Sequence, residues 1–411
     1  MLLIKNIGVL QTPAGSFAHR GPQQGQNLKL RNAAVLVEDG KIRSITADGQ
    51  LPEGAGRAET VLDAACRLAT PGLIDCHTHM VFGGYRQGEI PLKLQGAGYL
   101  DILRAGGGIL DTVGKTRAAA EDELFEKSMG FLDEMLALGI TSVESKSGYG
   151  LDQENELKQL QVNRRLQEAH KMDVVSTFLG AHAIPPEYAG RADAYIDMLC
   201  ASVLPIVVEE KLAGFCDVFC ETGVFDVPQS RKMLQAAQKL GLRARIHADE
   251  IDEIGGAALA GELGAVSAEH LIATGDRGMS AMAEAGVIAD LLPGTSFYLG
   301  KTYAPAREMI ARGIPVAIAS DFNPGSCPSL NLQLAMCMGY LKYRMTPEEV
   351  LTAVTINAAC SLGLEARVGT LEEGKQADIV LWNAPDMEML VYRFGSNLAE
   401  TVIKNGEVVK A

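Results

Sequence analysis

Two histidines one residue apart, His77 and His79, close the run Pro71-Gly72-Leu73-Ile74-Asp75-Cys76-His77-Thr78-His79. In an extended strand, side chains at i and i+2 share a face, so two imidazoles spaced this way can converge on one metal ion. Imidazole suits zinc, iron or nickel, and the pair alone does not choose among them. By itself the pair reads equally well as two polar residues at a strand end. The later histidines extend the first reading: His182, His247 and His270 each finish a separate apolar run, and Asp321 finishes the last. A catalytic metal site has three or four protein ligands and one position left for water. His77, His79, His247 and Asp321 meet that count, and a metal there lowers the pKa of its water toward neutrality.

The remaining strand-end groups then take roles around the metal. His270 and Asp321 manage protons, and His182 donates a hydrogen bond to a substrate oxygen. In His247-Ala248-Asp249-Glu250, the Glu250 carboxyl falls beyond the strand, over the pocket, where it can move a proton at a ring nitrogen. Asp249 better suits the first turn of the helix that follows. Asp75 shares strand parity with the histidine pair; it either supports a ligand histidine or joins an unrelated buried hydrogen bond. His19, in a loop, and His170, at a helix end, read as surface residues.

Something must bring residues so far apart in the chain to one place. From residue 71 the sequence alternates apolar strands with helical stretches, at 73–79, 140–146, 174–182, 216–221, 243–247, 265–271, 287–292 and 315–321. Helical patterns fall between them, among them 121–138, 154–169, 230–240 and 254–263, and 347–362 follows the last strand. Eight such strands predict a (β/α)8 TIM-type barrel, whose C-terminal strand ends form the active face; a doubly wound open sheet is the alternative. Strand patterns at both chain ends, including the Asn405-Gly406 hairpin signal, predict a small β-sandwich domain from 1–66 and 366–411, with the barrel over 67–365.

The bulk composition narrows the partners. A net charge of -14 argues against nucleic acid and requires local positive charge for any anionic substrate. Eight cysteines without a Cys-x-x-Cys pair read as reduced core thiols, and no run approaches the ~18 apolar residues of a membrane span. No leader pattern opens the chain, which leads to the expectation of a cytoplasmic protein that keeps away from membranes.

The motifs, taken together, resemble the amidohydrolase superfamily. They are 77–86, Leu94-Gln95-Gly96-Ala97, 105–109, Lys146-Ser147-Gly148-Tyr149-Gly150, 178–182, 247–250 and 320–326, in order along nearly the whole chain. The absence of lysine on the fourth strand resembles the mononuclear members, and the closest similarity is to those that open an imidazolone ring bearing a propanoate tail in histidine degradation. That resemblance implies one divalent metal ion, zinc or iron, a small-molecule substrate with a carboxylate, and a homodimer, for which 336–343 is a candidate contact helix. It implies Arg86 as the carboxylate anchor, with Tyr149, His182, Asn323, Gly325 and Ser326 as further substrate contacts. Glu250, His270, His182 and Asp321 become the catalytic groups. Ser145 and Tyr85 depart from the pattern without touching a proposed role. Two rivals stay open: a nucleobase deaminase of the same superfamily, which needs no Arg86, and a metal-free barrel serving only in assembly. The glycine-rich 105–109 segment reads as a flexible loop, since it does not join a strand to a helix in a phosphate-cradling pattern.

Overall fold

The computed structural model describes residues 1–96 and 107–410. Eight parallel strands follow one another in chain order: β6 (Leu73–Asp75), β7 (Ile140–Lys146), β8 (Asp173–Ala181), β9 (Phe215–Cys220), β10 (Arg243–Ala248), β11 (Ser267–His270), β12 (Ile288–Leu291) and β13 (Val316–Ile318). The ring closes beyond the regular ends of its first and last strands, through a parallel bridge between Thr78 and Phe322. There the Asp321 N–H donates to the His77 carbonyl (3.1 Å) and the His79 N–H to the Phe322 carbonyl (2.8 Å). The two strands that carry three of the expected metal ligands are thus stitched together by the ligand residues' own backbone. All eight expected strands are present. The first and last are shorter than expected, because past Asp75 and Ile318 the regular ladder gives way to single bonds, Lys146 N–H to the Thr78 carbonyl and Ala319 N–H to the Leu291 carbonyl, before this closure.

The helices between the strands have physical starts. Asp152 caps Gln153–Ala169 by accepting from the Asn155 N–H, and Asp226 with Gln229 forms a capping box on Val227–Lys239. The continuous helix expected at 347–362 is two, Pro347–Ala353 and Ile356–Leu362, broken at Thr355, whose hydroxyl turns back to the Leu351 carbonyl. The candidate contact stretch 336–343 falls mostly in the helix Leu332–Leu341, one side of which packs inside the chain. Met336, Cys337 and Met338 are buried, and of the 336–343 stretch Tyr340 and Leu341 are the large apolar residues that remain exposed.

The chain ends form a second, mixed sheet from β1 (Leu2–Thr12), β2 (Leu28–Glu38), β3 (Lys41–Thr46), β4 (Thr60–Asp63), β5 (Leu68–Pro71), β14 (Ile379–Trp382), β15 (Ala399–Lys404) and β16 (Glu407–Lys410). Strand β5 lies between β1 and β14 and joins the N-terminal strands to the C-terminal ones, so this sheet extends past residue 66, to Pro71. It has its own core, with Ile4, Ile7, Leu10, Val35, Ile379 and Ile403 buried. The hairpin of β15 and β16 turns on Asn405 and Gly406, both at positive φ, as a two-residue turn requires.

Several sequence expectations are corrected or confirmed here. His19 is buried, not exposed: its ring bonds to the Ala14 carbonyl and its backbone N–H to the Asn357 side chain. His170 is half-buried, its ring 3.3 Å from Asp133. All eight cysteines are unpaired; five are buried, two half-buried, and Cys66 is exposed. Among the described residues no helix is long and apolar enough to cross a membrane. The glycine-rich 105–109 segment and the 94–97 motif lie partly outside the described residues.

Candidate metal centre and active site

Strand parity brings the expected ligands together at the C-terminal end of the barrel. His77 Nε2 lies 3.2 Å from His79 Nε2, and Asp321 Oδ1 lies 3.4 Å and 3.6 Å from the same two nitrogens. His247 completes the group; one ring nitrogen from each of the three histidines falls within 4.8 Å of the others. Two imidazole nitrogens cannot face each other this closely on lone pairs alone; a proton or a cation must lie between them. A tetrahedral site with bonds of about 2.1 Å has donor–donor edges of about 3.4 Å, which these separations match. His247 Nε2 is buried without a hydrogen-bond partner among the described residues, another atom that a cation would satisfy. The donor set fits a divalent metal.

Beneath the histidines lies an ionic network that sequence reading did not identify. Glu269 Oε2 sits 3.0 Å from His77 Nδ1 and 3.1 Å from His247 Nδ1, and Asp217 Oδ2 sits 2.9 Å from His247 Nδ1. Carboxylates at the Nδ1 edges place the protons there and turn the Nε2 lone pairs toward the common centre. Lys146 reaches Glu144, Asp217 and Glu269, while Arg245 reaches Glu269 and Asp290; all six side chains are fully buried. Burial opposes protonation of His247, yet Asp217 and Glu269 outweigh it and raise its pKa to about 10. Burial also works against the Asp321 carboxylate, but His77 and His270 hold it well below the usual range, so it stays ionised. The available signal was charge inside five buried strands: Glu144 and Lys146 in β7, Asp217 in β9, Arg245 in β10, Glu269 in β11 and Asp290 in β12.

Backbone strain marks the same positions. Asp249, His270 and Asp321 have φ of 50°, 68° and 54°, a left-handed region that costs a non-glycine residue of order 1 kcal/mol or more. Each sits where a strand ends; the His270 and Asp321 side chains turn toward the histidine cluster, and that of Asp249 toward the helix that follows. His270 lies beside the cluster, with ring centroids 5.2 Å from His247 and 5.8 Å from His77, and Glu250 Oε2 is 3.8 Å from its Nε2. Lys301 approaches the other Glu250 oxygen at 3.7 Å. Asp249 behaves as a helix-start acid, accepting from the Gly256 and Ala257 N–H groups. Asp75 accepts from the Ser320 N–H and so braces the strand before Asp321; the His77 ring is braced by Glu269 instead.

His182 stacks on His79 at 5.0 Å, and its Nδ1 lies 3.0 Å from the Gly148 carbonyl. A carbonyl only accepts, so Nδ1 carries the proton. Burial, reinforced by His247, lowers this imidazole to about 3, and it is neutral. Its Nε2 is therefore an acceptor, whereas the sequence had suggested a donor. Tyr149 is buried 5.3 Å from the His182 ring, and burial, against the pull of Arg86, raises its phenol so that it remains a donor. Its loop is gripped by Glu156, which accepts from the Gly148, Gly150 and Leu151 N–H groups.

Arg86 occupies space that Gly325 leaves open: a Cβ on Gly325 would fall 1.0 Å from the guanidinium Nη2. Asn323 shapes the same turn, its side-chain oxygen accepting from the Gly325, Ser326 and Cys327 N–H groups and the Ser326 hydroxyl. The Asn323 side chain is thus committed within its own loop.

The amidohydrolase family model matches residues 68–409. Over 99% of its length the chain is 50% identical to an imidazolonepropionase of Alkaliphilus metalliredigens, covering 97% of that protein, and 50% identical to one of Bacillus velezensis, covering 96%. The chain belongs to the imidazolonepropionase family of amidohydrolases. Solved structures show the same fold at low identity: Escherichia coli guanine deaminase, with a TM-score of 0.73, 13% identity and coverage of 99% and 98% of the two chains, and A. niger ochratoxinase, with a TM-score of 0.72, 18% identity and coverage of 100% and 95%. The imidazolonepropionase relatives, unlike these, match at a level that extends family membership to the whole chain.

Proposed function

We propose that this protein hydrolyses the ring C–N amide bond of 4-imidazolone-5-propanoate, giving N-formimidoyl-L-glutamate in histidine degradation. The observation that carries the reading is the pairing of two features at one barrel mouth: the His77/His79/His247/Asp321 donor set, and an arginine seated in the space left by Gly325. A hydrolytic centre beside a planar carboxylate grip suits a cyclic amide with an acidic tail. A neutral nucleobase would offer Arg86 no carboxylate to add to Glu89, whose Oε1 lies 3.8 Å from its Nε.

His77, His79, His247 and Asp321 would hold one divalent ion, zinc or iron. When bound, it supplies Lewis acidity, acidifying a water and polarising the ring carbonyl. The chain's own groups do the rest. Arg86 binds the propanoate through two parallel hydrogen bonds, with the Tyr149 phenol beside it. His182 accepts a hydrogen bond from a ring N–H through Nε2 and fixes which edge of the ring faces the donor set. Glu250 takes a proton from the attacking water and delivers it to the departing ring nitrogen, and His270 holds the Glu250 carboxylate toward the centre. The Gly325–Ser326 turn, its N–H groups held by the Asn323 side chain, keeps open at the carboxylate end the space that Arg86 fills. The C–N bond breaks, the carbonyl carbon leaves as a carboxylate, and the nitrogen leaves as the formimidoyl amidine.

The unpaired, mostly buried thiols support a reducing compartment, the cytoplasm, and we propose that the protein works there as a homodimer. Purified protein assayed with imidazolone propanoate, before and after chelation, tests the reading. Formimidoylglutamate should accumulate and stop on chelation; ammonia released from a nucleobase instead would install the deaminase alternative.

A further inference from the structure

The side chain of Glu250 projects from a segment with no regular secondary structure between β10 and the helix Gly256–Leu263. Such a segment holds a carboxyl in reach of reacting atoms only if its backbone is fixed. On one side it is fixed by Asp249, which accepts from Gly256, Ala257 and the Thr274 hydroxyl. On the other side stands Glu221, just past the end of β9 and 1% exposed. Its carboxylate accepts from the Ile251 N–H at 2.9 Å, the Asp252 N–H at 3.2 Å and the Thr222 N–H at 2.8 Å. Glu221 therefore ties the two residues that follow Glu250 to a barrel strand.

This arrangement has a cost that stability does not explain. Burial, with Glu250 adding like-charge repulsion, raises the Glu221 carboxyl, and the three N–H contacts act in the opposite direction. A neutral side chain could fill the volume without that repulsion. Only an acceptor with two oxygens can hold Ile251 and Asp252 together while keeping Thr222. The same device holds the Tyr149 loop, where Glu156 grips three N–H groups. In both places a buried glutamate fixes a loop that carries a side chain at the pocket.

We propose that Glu221 is a positioning residue: by gripping the Ile251 and Asp252 backbone, it fixes the reach of Glu250 toward the substrate nitrogen. The proposal rests on the reading of Glu250 as the proton carrier.

Glu221→Ala and Glu221→Gln, in the metal-loaded protein, test it. Loss of the grip should lower kcat by about ten- to a hundredfold in the alanine variant, since a displacement of about 1 Å is worth that much. KM should stay within twofold and metal content unchanged, because neither Arg86 nor a ligand moves. Amide exchange at Ile251 and Asp252 should accelerate. Glu221→Gln, which keeps one acceptor oxygen and the same volume, should recover part of kcat and serves if the alanine variant does not fold. In a Glu250→Gln background, Glu221→Ala should have no further effect on kcat. If Glu250→Gln is itself slow and the two losses multiply, Glu221 acts elsewhere and the proposal fails alone. If Glu250→Gln is fully active, the underlying reading fails and takes the proposal with it.

Discussion

Among the described residues two ionic clusters, one fully buried and one partly so, are built on opposite principles. The lower one joins the barrel to the small sheet: Lys404 reaches Asp173 at 2.6 Å and Asp378 at 2.7 Å, and Arg367 reaches Asp173 at 3.3 Å. Two cations face two carboxylates, the Asn405 N–H and Gln376 add hydrogen bonds to Asp378, and no buried atom of these carboxylates lacks a partner among the described residues. The upper one, under the histidines, sets two cations, Lys146 and Arg245, against four carboxylates, Glu144, Asp217, Glu269 and Asp290. There Glu144 Oε2, Asp290 Oδ1 and His247 Nε2 are buried without hydrogen-bond partners. A closed, balanced cluster is a fastener. An open, negative one is half of an interaction whose other half is a cation, and buried charge of this kind persists where function keeps it.

The largest expected difference follows from removing one carboxylate from each. Glu269→Gln keeps the volume but breaks the contact that orients both His77 and His247. Metal affinity should fall by about ten- to a hundredfold and turnover with it. Asp378→Asn should leave metal content and kcat alone while lowering stability by about 3 kcal/mol, as breaking one side of a buried pair does. Elemental analysis beside thermal unfolding reads both. A Glu269→Gln protein that keeps full metal would erase the distinction.

Next in size is the carboxylate grip, which belongs to neither cluster and should separate from both. Gly325→Ala drives a Cβ into the Arg86 guanidinium. Losing a bidentate, charge-assisted contact of about 3 kcal/mol should raise KM roughly a hundredfold, with metal content and thermal stability unchanged. Steady-state kinetics at fixed metal loading checks this. A rise in KM accompanied by metal loss would mean that the grip and the metal centre are one unit.

The contrast between the clusters also explains what the sequence could disclose. The barrel strands were legible because each is a short apolar run between helical patterns, and the ligands because histidine is rare here and ends those runs. Glu144, Asp217, Arg245, Glu269 and Asp290 were not singled out because a charge in an apolar strand has no local signature of its partner; Lys146 and Glu269 meet only when the barrel closes. The donor polarity of His182 was hidden for the same reason, being set by a carbonyl 34 residues away, at Gly148. His19 misled because a loop rich in Gly, Pro and Gln looked solvated, and its buried partner, Asn357, lies at the other end of the chain.

The upper cluster should also show itself through protons. Against the cost of burial, Asp217 and Glu269 raise His247 to about 10, so the metal-free protein keeps a proton on that ring at neutral pH. A raised histidine contributes stability below its unfolded pKa of about 6.5 and loses it as pH climbs toward 10. Metal must displace that proton. Affinity for added zinc should therefore increase several-fold per pH unit between 6 and 9, with proton release on binding, both measurable by calorimetry in two buffers. A flat profile would mean that the metal-free protein does not hold the charge its carboxylates invite.

The smallest expected effect is the matching experiment on the lower cluster, where the sign reverses. Burial works against ionisation of Asp173, but Lys404 and Arg367 outweigh it and lower its pKa. A depressed carboxyl contributes stability above its unfolded pKa of about 3.9, and that contribution disappears as pH falls through the lower folded value. Because Arg367 is half exposed and Asp173 partly so, screening limits the term to about 1 kcal/mol. Lys404→Met should remove most of it, giving a chemical-denaturation midpoint less sensitive to pH between 5 and 3 than that of the parent protein. Metal content at pH 7 should be identical in the two. If this fastener were instead coupled to the metal centre through β8, Lys404→Met would lower metal retention as well, and the division of the molecule into a closed cluster and an open one would not hold.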